Sequence, residues 1–281
     1  MPLRPRVAIV TGGGRGLGRA MALALAESGA RVIVCAARER AEIETVADEA
    51  ERRFGGRPIV PLIADVTRED DCMRLVEVAF HRFGRLDVLV NNAGRGMKYV
   101  SETFMTVPTR FWDVAPETFR MVIDANVVGP FLMARAAAPA MIEARWGRIV
   151  NISMNHETMR RQGFSPYGPS KAALESETII WARDLAGTGV TVNALLPGGA
   201  TLTGMIPDGV SPELRAKLLD PAIMAAPLLW LASERSDGVT GRRFVAARWR
   251  ADLPEAEAAE AAAEEAGWAA GQGVMRFEGK G

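Results

Sequence analysis

Short runs of β-branched and apolar residues recur along the chain, separated by stretches in which apolar positions return every three or four residues. Val7–Val10, Arg31–Cys35, Ile59–Ile63, Leu86–Val90, Arg148–Ile152, Val190–Leu195 and Phe244–Ala246 have the length and composition of strands. Between them, Arg19–Ser28 sets Met21, Ala24 and Leu25 on one helical stripe, and Cys72–Phe83 does the same with Leu75, Val76, Ala79 and Phe83. Strands alternating with amphipathic helices build βαβ crossovers, so the pattern predicts a single α/β domain around a doubly wound parallel sheet of about seven strands.

Two segments break the alternation. From Arg95 to Pro116, Tyr99, Phe104, Phe111 and Trp112 sit among prolines and turn residues, as expected of an insertion beside a ligand site. Near the end, Pro254–Ala266 is almost all Ala and Glu, and Gly267–Gly281 is rich in glycine. High helix propensity with little apolar surface makes 251–281 a C-terminal extension of the domain at 1–250, solvated or packed on a partner subunit.

Composition narrows the function classes. The 281 residues are 48% hydrophobic, enough for a large core, and 34 basic residues balance 34 acidic ones. No broad basic surface for nucleic acid or anionic membrane follows, which favours a small-molecule or protein partner. The two cysteines, Cys35 and Cys72, make no disulfide framework and no metal-ligand spacing with His81 or His156, so no metal site is expected and a reducing cytoplasm is the expected setting. No signal-peptide core precedes the first strand, and no apolar stretch approaches membrane-spanning length.

The first strand runs into Thr11-Gly12-Gly13-Gly14-Arg15-Gly16-Leu17-Gly18 and then a helix. Glycines allow a tight turn and close backbone approach, and a helix N-terminus offers unpaired N–H groups to a pyrophosphate. Three residues separate Gly12 from Gly16, so the spacing is not the G-x-G-x-x-G form. Further along, Tyr167 and Lys171 are four apart and share a helix face, an arrangement suited to acid–base work because an ammonium beside a phenol favours the phenolate. Pro169 between them is tolerated if it lies in the first turn.

Read in order, the glycine run, Asp65 and Val66 after the third strand, Asn91-Asn92-Ala93-Gly94 after the fourth, Asn126, Tyr167-Gly168-Pro169-Ser170-Lys171 and Pro197-Gly198 resemble the short-chain dehydrogenase/reductase family over about residues 6–245. The resemblance implies a Rossmann-type fold and an oxidoreductase that moves a hydride between a nicotinamide cofactor and a carbonyl or alcohol carbon. It also implies that Gly12, Gly14, Arg15, Gly16, Leu17, Gly18, Arg38, Asp65, Val66, Asn92, Ala93, Gly94, Pro197 and Gly198 line the cofactor, together with Tyr167 and Lys171. Tyr167 then serves as the general acid or base, with Lys171 also holding the nicotinamide ribose and Asn126 in a water-mediated proton relay. A homotetramer or homodimer built through Val127–Ala144 and Tyr167–Ala186 is implied as well.

One position departs from the family. The serine that binds the substrate carbonyl usually stands thirteen residues before the tyrosine, where this chain has Met154, and a thioether cannot donate that hydrogen bond. Ser153 is the expected replacement, with Asn155 and His156 as alternatives. An impaired nucleotide-binding sensor or scaffold, and an epimerase or dehydratase on the same fold, are the competing functions. At the end of the second strand Ala36 stands where NAD-preferring relatives carry Asp, and Arg15 and Arg38 are placed for a phosphate despite Glu39 beside the latter, so NADP(H) is expected over NAD(H). Met97, Tyr99, Phe104, Phe111, Trp112, Met154, Met159, Met205 and Ile206 predict a largely apolar substrate pocket.

Overall fold

The computed structural model describes residues 6–267. Its strands are β1 (Val7–Thr11), β2 (Arg31–Ala36), β3 (Ile59–Ile63), β4 (Val88–Asn91), β5 (Gly147–Ile152), β6 (Val190–Leu196), β7 (Arg242–Val245) and β8 (Ala263–Glu265). Its α-helices are α1 (Gly16–Glu27), α2 (Arg40–Phe54), α3 (Glu69–Phe83), α4 (Pro116–Ile123), α5 (Gly129–Glu143), α6 (His156–Met159), α7 (Tyr167–Asp184), α8 (Pro212–Arg215), α9 (Ala225–Leu231) and α10 (Glu255–Ala262).

The sheet order is β3-β2-β1-β4-β5-β6-β7-β8, with the first seven strands parallel. The chain reverses its direction of winding between β1 and β4, and such a switch point opens a crevice at the carboxyl ends of the strands. Alternate residues of each strand feed two apolar layers. Ala8, Val10, Val32, Val34, Val88 and Val90 face Met21 and Leu25 of α1, Ile43 of α2 and Leu228 of α9. Ile9, Ile33, Leu89 and Ile149 face Leu75 of α3 and Met133 and Met141 of α5. Burial of one such side chain contributes about 1.5–3 kcal/mol, so the two layers dominate the folding energetics. Cys35 and Cys72 belong to the second layer as free thiols, and burial pushes both up to about 12, so they stay protonated.

The seven strands read from the sequence all form, with boundaries shifted by one or two residues. Strand β4 begins at Val88 instead of Leu86, because the Asp87 carboxylate accepts the Val7 N–H at 2.8 Å and also pairs with Arg6 and Arg85. Helix α1 starts three residues earlier than its apolar stripe, inside the glycine turn. Residues 116–143 run as one continuous helical stretch, which by length and composition is apolar enough to cross a membrane, contrary to the expectation that no segment approaches that length. Its Val122, Met133, Ala137 and Met141 are buried in the protein's own core.

The tail also corrects the sequence reading. Far from being solvated, Ala258, Ala259 and Ala262 of α10 are buried, the last two in the layer that contains Trp230 and Phe244, and β8 adds an eighth strand antiparallel to β7. Small side chains let this helix lie close to bulky neighbours, and β8 covers the backbone groups of an otherwise open sheet edge. The glycine-rich stretch from residue 268 onward lies outside the described residues. Ala262→Asp is expected to lower stability by about 2–3 kcal/mol in urea unfolding, since it sets an unpaired carboxylate in a packed site. Glu257→Ala, on the exposed side of the same helix, should stay within about 0.5 kcal/mol of the parent.

Candidate functional site

The crevice above the switch point is a cavity of about 810 Å³ between the ends of β1, β2, β4, β5 and β6. Gly12, Gly14, Arg15, Gly16, Leu17 and Gly18 line one end, with Arg38, Asp65, Val66, Asn92, Ala93 and Gly94 beside them. Ser153, Tyr167, Lys171, Pro197 and Gly198 line the other. Seventeen glycine-turn, strand-end and helix residues scattered from 12 to 198 thus converge on one space.

The glycine turn is built for a phosphate group. Gly12 and Gly16 have φ of +64° and +52°, which an L side chain rarely adopts, and they swing the chain into α1. No side chain caps α1, so its first-turn N–H groups remain for a ligand. Asn92 fixes the turn from the neighbouring strand by donating its amide to the carbonyls of Thr11 (2.8 Å) and Gly12 (3.0 Å). Thr11 completes the tie, its hydroxyl accepting from the backbone N–H groups of Asn92 and Ala93. This cradle fits a dinucleotide pyrophosphate.

Beside the glycine turn no carboxylate terminates β2: Ala36, Ala37 and Arg38 line the cavity, followed by Glu39. Arg15 pairs with Glu42 at 3.2 Å on the surface. Asp65 forms a turn with one carboxylate oxygen, accepting from the N–H and hydroxyl of Thr67.

Asn126 lies in a π-helical turn, Asp124–Val128, between α4 and α5, and is fully buried. Its side chain accepts from the Arg95 N–H at 2.7 Å and donates to the Arg95 carbonyl and the Ser170 hydroxyl. It therefore holds the strand-end loop 93–95 against α7 from behind the cavity wall, and its side chain does not itself line the space.

Tyr167 and Lys171 do share one face at the start of α7, and Pro169 falls in the first turn as expected. Their protonation differs from the sequence expectation. Burial pushes the Tyr167 phenol up to about 12, and burial also pushes Lys171 down to about 8, partly opposed by the Glu175 carboxylate. The reason is distance and direction: the Lys171 ammonium stands 6.0 Å from the Tyr167 ring centroid and donates to the Ile152 carbonyl at 2.7 Å. The neighbour that was to lower the phenol is turned toward β5.

Ser153 lines the cavity, and its hydroxyl is already engaged. It donates to Glu175 at 2.7 Å, and a hydroxyl has one proton, so in this arrangement that proton is spent on the carboxylate. The His156 imidazole bonds the other Glu175 oxygen at 2.9 Å. Asn155 spends one amide hydrogen on the Gly198 carbonyl at 3.0 Å and lines the cavity. Glu175 escaped the sequence reading, although its spacing from Tyr167 and Lys171 marks it as the third member of one helical face.

On the substrate side Met97, Tyr99, Phe104, Met154, Met205 and Ile206 line the cavity as expected, joined by Thr158, Arg161 and Phe164. Phe111, Trp112 and Met159 do not; they border a separate shallow groove of about 320 Å³ on the outside of the 109–112 and 159–165 segments. No cluster able to hold a metal occurs among the described residues.

Residues 6–211 match the sequence profile described as short chain dehydrogenase. A 3-oxoacyl-[acyl-carrier-protein] reductase of Synechocystis is 37% identical over 70% of this chain and 74% of its own length. The crystal structure of a 3-ketoacyl-(acyl-carrier-protein) reductase from Brucella melitensis complexed with NADH superposes with a TM-score of 0.72 at 31% identity, covering 84% of this chain and 93% of that one. A structure from Beutenbergia cavernae, described as that of a putative NAD(P) dependent gluconate 5-dehydrogenase with NADP bound at low occupancy, reaches a TM-score of 0.75 at 28% identity, covering 87% and 96%. With its cradle, switch-point cavity and Tyr–Lys face, this chain belongs to the short-chain dehydrogenase/reductase family and is an NAD(P)-dependent oxidoreductase.

Proposed function

We propose that the protein is a carbonyl reductase that prefers NADP(H) and acts on a small, largely apolar ketone or aldehyde. The observation that carries this reading is that Tyr167 and Lys171 face the same cavity as the glycine cradle. The cradle and the N-terminus of α1 would hold the pyrophosphate, and Asp65 and Val66 would border the adenine. When bound, the nicotinamide supplies or accepts the hydride. The Tyr167 hydroxyl donates its proton to the carbonyl oxygen, and the Lys171 ammonium, released from Ile152, would stabilise the phenolate left behind and help to hold the cofactor. Asn126 keeps loop 93–95 and α7 in register for this relay.

Asn155 takes over the carbonyl-binding role expected of Ser153. It is the residue of the three alternatives that lines the cavity with an amide hydrogen left to give, whereas Ser153 and His156 both bond Glu175. The apolar preference rests on Met97, Phe104, Met154, Met205 and Ile206 around the site. A cytoplasmic setting agrees with two buried, free cysteines. Phe131 and Ile142 of α5 and Ile180 of α7 are exposed apolar residues suited to a homodimer or homotetramer interface. Met154 at the usual serine position favours a second reading, a nucleotide-binding sensor with little turnover.

NADPH oxidation with ketones, aldehydes and oxoacyl thioesters separates the two. Tyr167→Phe is expected to lower kcat at least about 100-fold, and Asn155→Ala about 10- to 100-fold with cofactor affinity unchanged. Turnover that persists in Tyr167→Phe removes the acid–base assignment, and binding of NADPH without turnover by the parent establishes the sensor. For the cofactor, fluorescence titration should give tighter binding of NADPH than NADH. Ala36→Asp should narrow that difference about tenfold or reverse it, because a carboxylate there repels the 2′-phosphate. As to pH, Lys171 is cationic below about 8 and neutral above it. Reduction should therefore slow as pH rises through about 8, and a kcat/KM profile level to pH 10 would exclude Lys171 from the relay.

A further inference from the structure

The Glu175 carboxylate, two turns beyond Tyr167 on α7, is 2% exposed and receives four donors. One oxygen accepts from Ser153 (2.7 Å) and from Arg243 Nε (3.1 Å); the other bonds His156 (2.9 Å) and accepts from the Gly267 backbone N–H (3.2 Å). Arg243, on β7 and equally buried, also donates to the Met154 carbonyl at 2.8 Å. Its remaining bonds go to Glu264 of β8 at 2.6 Å and to His156 Nδ1 at 3.4 Å. Glu264 pairs with Arg248 as well.

Two of these partners, Glu264 and Gly267, come from the tail, and three belong to the segment that floors the cavity. That segment is held residue by residue. Ile152 receives Lys171, Ser153 reaches Glu175, Met154 receives Arg243, Asn155 reaches Gly198 and His156 reaches Glu175. A buried carboxylate and guanidinium are costly unless every lone pair and N–H finds a partner, and the partners supplied here run from the sheet edge straight to the cavity floor.

We propose that Glu175 is a positioning residue for the 153–156 segment and that the C-terminal strand, through Glu264, Arg243 and the Gly267 amide, sets the geometry in which Asn155 and Met154 meet the substrate. The role of Asn155 rests on the reductase reading above; the mechanical coupling of tail to cavity floor does not. In this arrangement the tail acts through the floor of the site, leaving the glycine cradle untouched, so loosening it changes the handling of substrate and not of cofactor.

Glu264→Gln and Glu175→Gln test this without creating a buried gap. Glu264 is partly exposed, so its variant is expected to fold even if the buried Glu175→Gln does not. Hydrogen–deuterium exchange of the NADPH-bound protein should show segment 153–160 opening about tenfold faster in Glu264→Gln, with β1 and α1 unchanged. In the carbonyl assay, kcat should fall about tenfold while NADPH affinity stays within twofold. Unchanged exchange at 153–160, or an equal acceleration throughout the sheet, would overturn the proposal by making the tail a mere cover for the edge. If the parent turns over no carbonyl, the reductase reading fails while the exchange measurement still decides the coupling.

Discussion

A side-chain carbon on Gly18 would collide with the Gly12 carbonyl and stand 2.5 Å from the Asn92 amide nitrogen. That absence of room is the constraint on which the cleft depends. Because α1 begins against the end of β1 with nothing between them, its N-terminus opens at the switch point and not beside it. Asn92 then ties the same turn to β4, so three elements from the first third of the chain meet within one hydrogen-bonded knot. The remaining site residues are brought to this knot by the strands that follow, each ending at the same edge of the sheet.

The other half of the site is organised by charge. Glu175 and Arg243 are nearly devoid of solvent contact, and an ion pair of that kind gains little by Coulomb attraction alone because desolvation offsets it. What makes it tenable is dense hydrogen bonding, with donors recruited from the residue after β5, α6, β7 and the tail. Removing one member strands the others, so the cluster behaves as a unit. Asn126 works by the same logic on the opposite wall, spending its whole amide on the backbone of residue 95 and on Ser170.

How much of this was legible in the sequence follows from the range of the interactions. The strands were legible because period and β-branching are local, and the cofactor end because glycine turns and uncapped helix starts carry their chemistry within a few residues. The tail was not: Ala259 and Ala262 are too small to signal burial until the layer of Trp230 and Phe244 is seen around them. The direction of Ser153 was equally hidden, since Glu175 lies 22 residues from Ser153 and Arg243 a further 68 from Glu175. Lys171 was placed on the right face of the helix, yet its burial and its bond to Ile152, which set its charge behaviour, are tertiary facts.

The antiparallel pairing of β8 has a consequence for the order of assembly on the ribosome. A nascent chain of about 250 residues already contains the seven parallel strands, the cradle, Tyr167 and Lys171. Its Glu175 and Arg243 still lack the Glu264 carboxylate and the Gly267 amide, and the edge of β7 is still bare. Until β8 and Gly267 are in place, the buried charges are underpaired and an open strand edge invites other chains. The final segment closes both liabilities at once.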